Sequence, residues 1–457
     1  MAASIAGAVA RIKRGDALEA LGGARGVADA CEELGHAWRD RTLDPATTVA
    51  LFVQQVLHGN CPCAEVRRLP AVNARASFTP GAYCQARARL PLGVYRSLLT
   101  RVVDAVLPRT LESRHRWRGH RVFHADGTTF SMPDTPELQK AFGQRAGHKP
   151  GCGFPAAHLL VMFSAATGLL VDAVCSRSYT SDVSQASAMH AHLGADDILL
   201  GDDSFSGWPH VALLLQGNAH GLFPSHHLQI VDFTPGRLHA AGGLQKDAAG
   251  RPRTRWIASL GTDDQLVEWF KPRQGPAWMT PEHYAALPAS LTVREVRRTV
   301  ALADGRQITV TILTTLLDAA RYPAEALVKL RMRRWDVETN LRHLKAAMGL
   351  EVLRCKTEAG VRKELAVFCI AYNLVRLVML EAARRQAVAV DRVSFTDALK
   401  WARHARPGDA MPLLIVNPSR PDRIEPRVVK RRRKRYYLMT RPRNVLRDEL
   451  RKQRKKV

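Results

Sequence analysis

Short apolar runs separated by turn signals occupy the middle of the chain, between residues 120 and 223. The first run alternates apolar and polar side chains, as a half-buried strand does, and it ends on a carboxylate. The second and third runs flank a turn at 166–168, which predicts a β-hairpin. Helical patterns at 184–193 and 209–216 separate the later runs. The predicted strands are 120–126, 158–163, 169–175, 198–200 and 221–223.

Strand, hairpin, helix, strand, helix and strand, followed much later by a long helix, is the element order of an RNase H-like α/β core. We expect this core in two parts, 113–225 and 321–402, with the long helix in the second part. Residues 226–320 contain turn signals between β-rich runs and predict a β-rich insertion. Residues 1–112 form a predicted helical N-terminal region, which we expect to bind DNA. Residues 403–457 predict a basic, flexible tail.

The charge of the chain indicates a polyanionic partner. The sequence contains 68 Lys and Arg against 42 Asp and Glu, a formal net charge of +26. Guanidinium groups bind phosphates through two parallel hydrogen bonds, so double-stranded DNA is the first expectation and a membrane surface is the rival. Residues 420–457 hold 17 Lys and Arg and 4 acidic residues. This composition cannot form a core, and it suits either an arm on the DNA backbone or a solubility tail.

A second basic segment lies in the N-terminal region, where Thr79 and Pro80 predict a helix start. Gln85, Arg87 and Arg89 on that helix either face DNA or form a solvated surface.

Other features of the sequence favour a cytoplasmic protein. The eight cysteines form no CxxC pair, and scattered thiols are typical of a reducing compartment. No signal peptide is predicted. The apolar stretch at 365–380 is shorter than the ~20 residues of a membrane span, so it predicts a buried helix.

Three acidic residues stand out by their position. Asp126 ends the first predicted strand, and Asp202 follows the fourth, with Asp203 as the alternative. Glu338 lies in a predicted helix over 327–350, with Arg334 four residues before it and Lys345 seven after. These offsets fall within about 60° on one helix face. By itself the pattern also fits a salt-bridged helix surface.

In an RNase H-like sheet the two strand ends are neighbours, and the late helix packs across them. Three carboxylates in one cavity repel one another unless cations intervene. Oxygen ligands suit Mg²⁺ or Mn²⁺. Two such ions ~3.5–4 Å apart can activate a water or a 3′-hydroxyl and stabilise the leaving oxygen of a phosphodiester.

The motifs around these acids resemble bacterial insertion-sequence transposases of the DDE class, in the group named after insertion sequence four. That group has a Tyr-Arg-Glu-Lys signature with spacings of two, three and six residues. Arg334, Glu338 and Lys345 match its last three positions, and Arg331 occupies the Tyr position. Six segments of the chain resemble conserved motifs of this family: RRWDVETNLRHLK, DGTTFSMPDTP, GDDSF, QQVLHG, AYCQARARLP and AYNLVR. Asp203 stands where the family usually has Arg.

The resemblance implies a role for each of these residues. The three acids Asp126, Asp202 and Glu338 would hold two divalent ions. The cations Arg334 and Lys345 would bind phosphates beside the scissile bond. Arg331 would grip the same backbone in place of Tyr, which affects the handling of a hairpin intermediate. Trp335 would either stack on a displaced base or pack against the core sheet.

The resemblance also implies the activity: a DNA transposase that binds terminal inverted repeats, cuts at the element ends and transfers the strands to target DNA. Such a protein would be nucleoid-associated and would act as a homodimer in a synaptic complex. The sequence has no GxxxxGK[ST] motif, so no nucleotide cofactor is expected. An RNase H-like nuclease without strand joining and a catalytically inactive DNA-binding descendant are the alternatives.

The histidines near the first motif are His124, His148 and His158. They lack the spacing of metal-binding histidines on a helix and are expected to be core or surface residues.

Overall fold

The computed structural model describes most of the chain. The described residues are 21–69, 77–107, 115–145, 147–240, 250–301, 305, 307–351, 353–405, 409–418 and 439–454.

Helices make up the described part of the N-terminal region. Asp44 caps the second helix by accepting the Thr47 N–H at 2.6 Å. Thr79 caps the fourth by accepting the Ala82 N–H at 3.1 Å, and Pro80 follows in the first turn, as predicted. The expected boundary at residue 112 lies outside the described residues. The helices are α1 Gly23–Glu33, α2 Pro45–Leu57, α3 Cys63–Val66, α4 Pro80–Arg89 and α5 Leu92–Val106.

Arg87 on α4 does not face solvent. Its residue is 9% exposed, and its guanidinium carbon lies 3.6 Å from the ring centroid of Phe52. It also donates a hydrogen bond to Gln55 Oε1 at 3.1 Å. The interpretation of Arg87 as a DNA-facing residue is therefore wrong: the side chain joins α4 to α2 through a cation–π contact and a hydrogen bond.

Within the described ranges, nine strands form one sheet in the order β3-β2-β1-β4-β5-β9-β8-β7-β6. β1 pairs with β4, and β4 with β5, in parallel, and the other neighbouring pairs are antiparallel. The predicted mixed α/β class is confirmed. The strands are β1 Val122–Ser131, β2 Ala156–Ser164, β3 Leu170–Arg177, β4 Ile198–Leu200, β5 His220–Pro224, β6 Thr254–Gly261, β7 Asp264–Phe270, β8 Ser290–Ala301 and β9 Gln307–Thr314.

The strands of the β-rich segment extend this sheet. β9 pairs antiparallel with β5, with Leu222 opposite Thr314, and β8, β7 and β6 follow outward. Without β9, the backbone groups on that side of β5 would form an unpaired edge. The short helices between the strands are α6 Pro136–Phe142, α7 Asp182–Ala186, α8 Trp208–Gln216 and α9 Pro281–Ala286.

The helix predicted over 327–350 is not continuous. It consists of α10 Ala324–Met332, α11 Trp335–Arg342 and a π-helical turn His343–Ala347. Between α10 and α11 the Arg334 N–H bonds to the Arg331 carbonyl at 3.1 Å, an i to i−3 contact that tightens the chain. The π turn then adds a residue to the next turn. The angular relation of Glu338 and Lys345 therefore differs from that of one regular helix.

The apolar stretch at 365–380 lies inside α12 Glu358–Gln386, which is followed by α13 Phe395–His404. α12 is long and apolar enough to cross a membrane, but 89% of its apolar window is buried within the protein. Its polar interruptions are satisfied: Asn373 Nδ2 donates to the Leu170 carbonyl at 2.8 Å, and Arg376 Nη2 donates to the Thr167 carbonyl at 2.6 Å. The prediction of a buried helix is confirmed.

The C-terminal segment includes a further helix, α14 Arg443–Arg454. Its first residue, Arg443, lies 3.6 Å from the Asp134 carboxylate, and its guanidinium carbon is 3.8 Å from the Phe154 ring centroid. Arg447 lies 3.7 Å from the same carboxylate. The expectation of a flexible tail from residue 403 onward therefore does not extend to α14, because these contacts attach it to the core. Residues 419–438, including the most basic run, lie outside the described residues.

Candidate active site

Asp126 lies within β1 and does not end it, contrary to the prediction. β2 continues to pair with β1 as far as Ser131, whereas β4 pairs with it only as far as His124. Asp126 is thus two residues beyond the last β1–β4 pair, at the edge where the parallel strands β1 and β4 end. Its Oδ1 accepts the Gly127 N–H at 2.9 Å.

Asp202 follows β4 after a single residue, Gly201. A Cβ at Gly201 would lie 2.5 Å from the Phe205 ring, so only glycine permits this close turn. The Asp202 Oδ1 accepts the Ser204 N–H at 2.9 Å and the Ser204 hydroxyl at 2.5 Å, which fixes the carboxylate at the start of a short 3₁₀ helix. The neighbouring Asp203 instead lies 3.5 Å from His227.

The third carboxylate in contact with this pair is Asp182, which the sequence analysis did not identify. One carboxylate oxygen from each of Asp126, Asp182 and Asp202 lies within 4.8 Å of the others. Asp182 is hydrogen-bonded to His158 Nε2. His158, expected to be a plain core or surface residue, holds Asp182 in place.

Gly127 makes room for this third carboxylate. A Cβ at this position would lie 2.2 Å from Asp182 Oδ1 and 2.5 Å from His158 Cε1. Any larger residue would therefore push α7 or its side chain away from β1. The glycine that follows Asp126 is the one local sequence signal of a close approach here.

Glu338 is connected to the aspartates through Arg334. The Arg334 Nη1 lies 3.5 Å from Asp126 Oδ2, and its Nη2 lies 3.3 Å from Glu338 Oε1. The side chain of Glu338 is 43% exposed, whereas those of Arg334 and Asp126 are 18% and 16% exposed. One guanidinium thus bridges the acid on β1 and the acid on α11.

Arg331, at the Tyr position of the signature, lies in the same electrostatic environment. The pKa of Arg331 is lowered to about 10, mainly by burial and then by Arg334, while Asp202, Asp203 and Glu338 oppose the shift. The side chain stays charged at neutral pH. Among the described residues, its buried Nε has no hydrogen-bond partner. Arg331 therefore supplies positive charge to the site while keeping hydrogen-bonding capacity unused.

Lys345 and Trp335 are the two remaining residues predicted for the site, and the structure shows fewer contacts for them. Lys345 lies in the π-helical turn, and in the described part of the chain it forms no ion pair with Asp126, Asp202 or Glu338. Trp335 begins α11, and its side chain lies outside the described residues.

Burial controls the protonation of the groups on β1. It raises the pKa of Asp126 to about 6; Arg334 and the Gly127 N–H oppose the shift, and Asp202 and Asp182 add to it. Burial also lowers the pKa of His124, two residues earlier, to about 3, and the arginines Arg333, Arg334 and Arg331 add to this. His124 is therefore neutral at pH 7, and neither ring nitrogen has a hydrogen-bond partner in the part of the chain that the structure describes.

This donor set fits a divalent cation. Three partly buried carboxylates converge from three elements, and the raised pKa of Asp126 reflects burial and carboxylate repulsion that Arg334 and the Gly127 N–H offset only in part. Oxygen-only ligands are those of Mg²⁺ and Mn²⁺. A bound cation would relieve the repulsion among the carboxylates and hold all three ionised.

The comparison with protein families gives the class of this protein. The family model described as the transposase DDE domain matches residues 117–374, more than half of the chain, and this range contains Asp126, Asp202 and Glu338. The chain belongs to this family: it is a DDE transposase and hence a DNA-acting enzyme. It is 26% identical over 380 residues to the transposase InsG for insertion sequence element IS4 of Escherichia coli (strain K12), an alignment that covers 78% of each protein.

A cryo-EM structure of a piggyBac transposase synaptic complex with hairpin DNA is also similar. It shares 10% identity and a TM-score of 0.40, with 82% of this chain and 75% of that chain covered. The recognition of a DDE transposase of the insertion sequence four type is confirmed by the family model and the InsG alignment.

Proposed function

We propose that this transposase cuts DNA at the ends of its element with Asp126, Asp202 and Glu338, and that it joins the freed 3′-hydroxyls to target DNA. The observation that carries the residue assignment is the convergence of Asp126 and Asp202 at one sheet edge, with Arg334 linking Asp126 to Glu338. The three residues come from segments more than 70 positions apart in the sequence. An ordinary surface salt bridge does not require such a convergence.

We assign strands β1 to β5 to an RNase H-like core. The antiparallel β3-β2-β1 part is followed by the parallel strands β4 and β5, and the candidate acids lie beyond the ends of β4 and of its pairing with β1. Ligands in such sheets bind at the carboxyl ends of parallel strands. α11 then presents Glu338 to this edge.

The metal would be held by carboxylates in two arrangements. In the free protein, Asp182 is the third carboxylate beside Asp126 and Asp202, and Arg334 holds Glu338 aside. In the DNA complex, a phosphate takes over the guanidinium of Arg334, which frees Glu338 to turn toward the two aspartates. Two bound Mg²⁺ or Mn²⁺ ions would activate the attacking hydroxyl and stabilise the leaving oxygen.

The cations near the acids would position the DNA. Arg334 would bind the phosphate beside the scissile bond in a two-point contact. Arg331 keeps its charge beside Asp202 and Glu338 and would contact the same strand, in the place of the family's Tyr. Lys345 would bind a phosphate further along the backbone, and Trp335 would stack on a base. The terminal inverted repeats would be bound by the N-terminal helices and the basic tail, in a homodimeric synaptic complex.

Cleavage of a DNA fragment that carries the element end tests this assignment. Purified full-length protein is incubated with the fragment and Mg²⁺ or Mn²⁺, and nicked and joined products are measured. Asp126→Asn, Asp202→Asn and Glu338→Gln are each expected to lower cleavage by at least about 100-fold, because each removes a charged metal ligand. Asp172→Asn is the matched control: Asp172 lies on β3 of the same sheet, pairs with His192 and is outside the cluster.

The outcomes separate the alternatives. Undiminished cleavage by any of the three variants would remove that residue from the active site. Nicking without joined products would favour a nuclease. Specific end binding with no cleavage by the wild-type protein would favour an inactive DNA-binding descendant.

A further inference from the structure

Three metal-ligating side chains meet at the sheet edge opposite the candidate active site. His120 lies two residues before β1, Asp196 two residues before β4, and His220 is the first residue of β5. Because β1, β4 and β5 are parallel, their amino ends meet at one edge. One ligand atom from each of the three side chains lies within 4.8 Å of the others.

The hydrogen bonds of His120 place its proton on Nδ1, so Nε2 can act as a ligand once Tyr322 and Arg321 move away from it. Its Nδ1 lies 2.5 Å from the backbone carbonyl oxygen of Asp196. A carbonyl only accepts, so Nδ1 carries the proton and Nε2 keeps its lone pair. In the free protein this lone pair accepts from the Tyr322 hydroxyl at 2.7 Å, and Arg321 Nη2 lies 3.3 Å away.

The ring of His220 lies between Thr315 and Asp196. Its Nδ1 lies 3.1 Å from Thr315 Oγ1, which also accepts the Gly221 N–H at 3.0 Å. The Thr315 hydroxyl is able both to accept from Nδ1–H and to donate to an unprotonated Nδ1, and Nε2 lies 3.6 Å from Asp196 Oδ1. In the tautomer with Nδ1–H donating to Thr315, His220 Nε2 can act as a ligand beside Asp196, and a ring N–H held by a protein oxygen is the arrangement that orients metal-binding histidines.

Burial and access are both suitable for an ion. His120 is 2% exposed, whereas the side chains of His220 and Asp196 are 23% and 79% exposed. Two imidazoles thus lie inside and one carboxylate lies on the rim, where an ion can enter. Asp196 has a φ of +64°, a conformation that Asp and Asn tolerate better than most residues.

We propose that His120, Asp196 and His220 form a second metal site, which binds Zn²⁺ or a similar divalent transition ion, with water as the fourth ligand. Two imidazole nitrogens and one carboxylate suit Zn²⁺ and do not suit Mg²⁺. The site lies at the opposite sheet edge from Asp126 and Asp202, so its ion stabilises the parallel strands and takes no part in DNA cleavage. Arg321 and Tyr322 occupy His120 Nε2 until the ion displaces them.

Cobalt is the probe, because Co²⁺ in a tetrahedral site with histidine ligands absorbs visible light strongly and an octahedral oxygen site does not. The metal-free full-length protein is titrated with Co²⁺ and then with Zn²⁺, in the presence of excess Mg²⁺ to fill the acidic site. The expected result is a visible band that saturates at about one ion per chain and is abolished by Zn²⁺.

Three variants test the assignment. Asp196→Asn keeps the backbone conformation and removes the charged ligand, so it is expected to weaken Co²⁺ binding by about 10-fold or more. Arg321→Ala removes the competing cation and is expected to tighten binding several-fold. Asp263→Asn is the matched control with unchanged affinity, since Asp263 also has a positive φ, 48°, and lies in the β6–β7 turn.

His227→Ala separates this site from the other His-containing group, Asp203, His226 and His227. Absence of the band in wild type, equal affinity in Asp196→Asn and wild type, or loss of the band in His227→Ala would each overturn the proposal. In the first case the three residues form a hydrogen-bonded network without an ion. Cleavage activity in Mg²⁺ is expected to be unchanged in Asp196→Asn, so this result does not depend on the function proposed above.

Discussion

Arg334 and Asp126 lie 3.5 Å apart, although 208 residues separate them in the chain. This contact joins α11 to the centre of the sheet and places a cation over an acid whose pKa burial raises to about 6. The same guanidinium also pairs with Glu338. Binding of a DNA phosphate to Arg334 would therefore change the charge around the carboxylates proposed to bind the metal.

The first prediction concerns how strongly the substitution of each acid weakens metal binding. Asp182→Asn is expected to weaken Mn²⁺ binding to the free protein by about 10-fold or more, because Asp182 is one of three converging carboxylates. Glu338→Gln should change it less, since Glu338 is paired with Arg334. Electron paramagnetic resonance of free Mn²⁺ without DNA measures both. The reverse ranking would make Glu338, and not Asp182, the third ligand of the free protein.

A single methyl group at Gly127 is expected to disturb the site. In Gly127→Ala the new Cβ would be 2.2 Å from Asp182 Oδ1, so the carboxylate must move, and we expect weaker Mn²⁺ binding and a loss of roughly 1–3 kcal/mol in the free energy of unfolding. Gly207→Ala is the control, because a Cβ there meets nothing within 4 Å. Equal Mn²⁺ affinities of Gly127→Ala and wild type would show that Asp182 is not a ligand.

Arg331→Tyr restores the family's residue and removes a buried cation beside Asp202 and Glu338. We expect Mn²⁺ affinity to rise several-fold, because like charges disfavour a bound cation. DNA affinity should fall through the lost phosphate contact. Arg333→Tyr, at the neighbouring exposed residue, should leave Mn²⁺ binding unchanged. An unaltered Mn²⁺ affinity in Arg331→Tyr would mean that Arg331 does not act on the acids.

The burial of neutral His124 predicts that the free energy of unfolding falls at acidic pH. Its folded-state pKa of about 3 lies below its usual value of 6.5, so its contribution is complete above pH 6.5 and is lost as the pH falls toward 3. Between pH 7 and pH 4.5 the loss is about 2–3 kcal/mol. Urea unfolding of His124→Leu should lack this part of the pH dependence, whereas the exposed variant His148→Leu should keep it. Parallel pH profiles of wild type and His124→Leu would contradict the prediction.

The basic tail is expected to set the salt dependence of DNA binding. Replacement of the six Lys and Arg residues at 430–435 by Gln keeps the contacts of α14 with Asp134. It should reduce the slope of log affinity against log salt concentration by up to about 5, at ~0.9 per phosphate contact. Fluorescence anisotropy with element-end DNA measures the slope. An identical slope would make this run a solubility tail.

The sequence by itself determined the elements and the family. Alternation and turn residues predicted the strands of the sheet. The spacing of Arg334, Glu338 and Lys345, together with the motifs around Asp126 and Asp202, identified the transposase class that the family model confirms. These signals are local, because side-chain periodicity and motif spacing can be recognised within short segments of the sequence.

Tertiary structure alone decided which acids meet. β1 continues past Asp126 because β2 supplies a partner as far as Ser131, and the convergence of Asp182 with Asp126 depends on where α7 lies over Gly127. The break between α10 and α11 likewise appears only in the tertiary structure, where Arg334 at the start of α11 contacts both Asp126 and Glu338. Contacts between residues far apart in sequence arise from the packing of whole elements, and no local pattern encodes them.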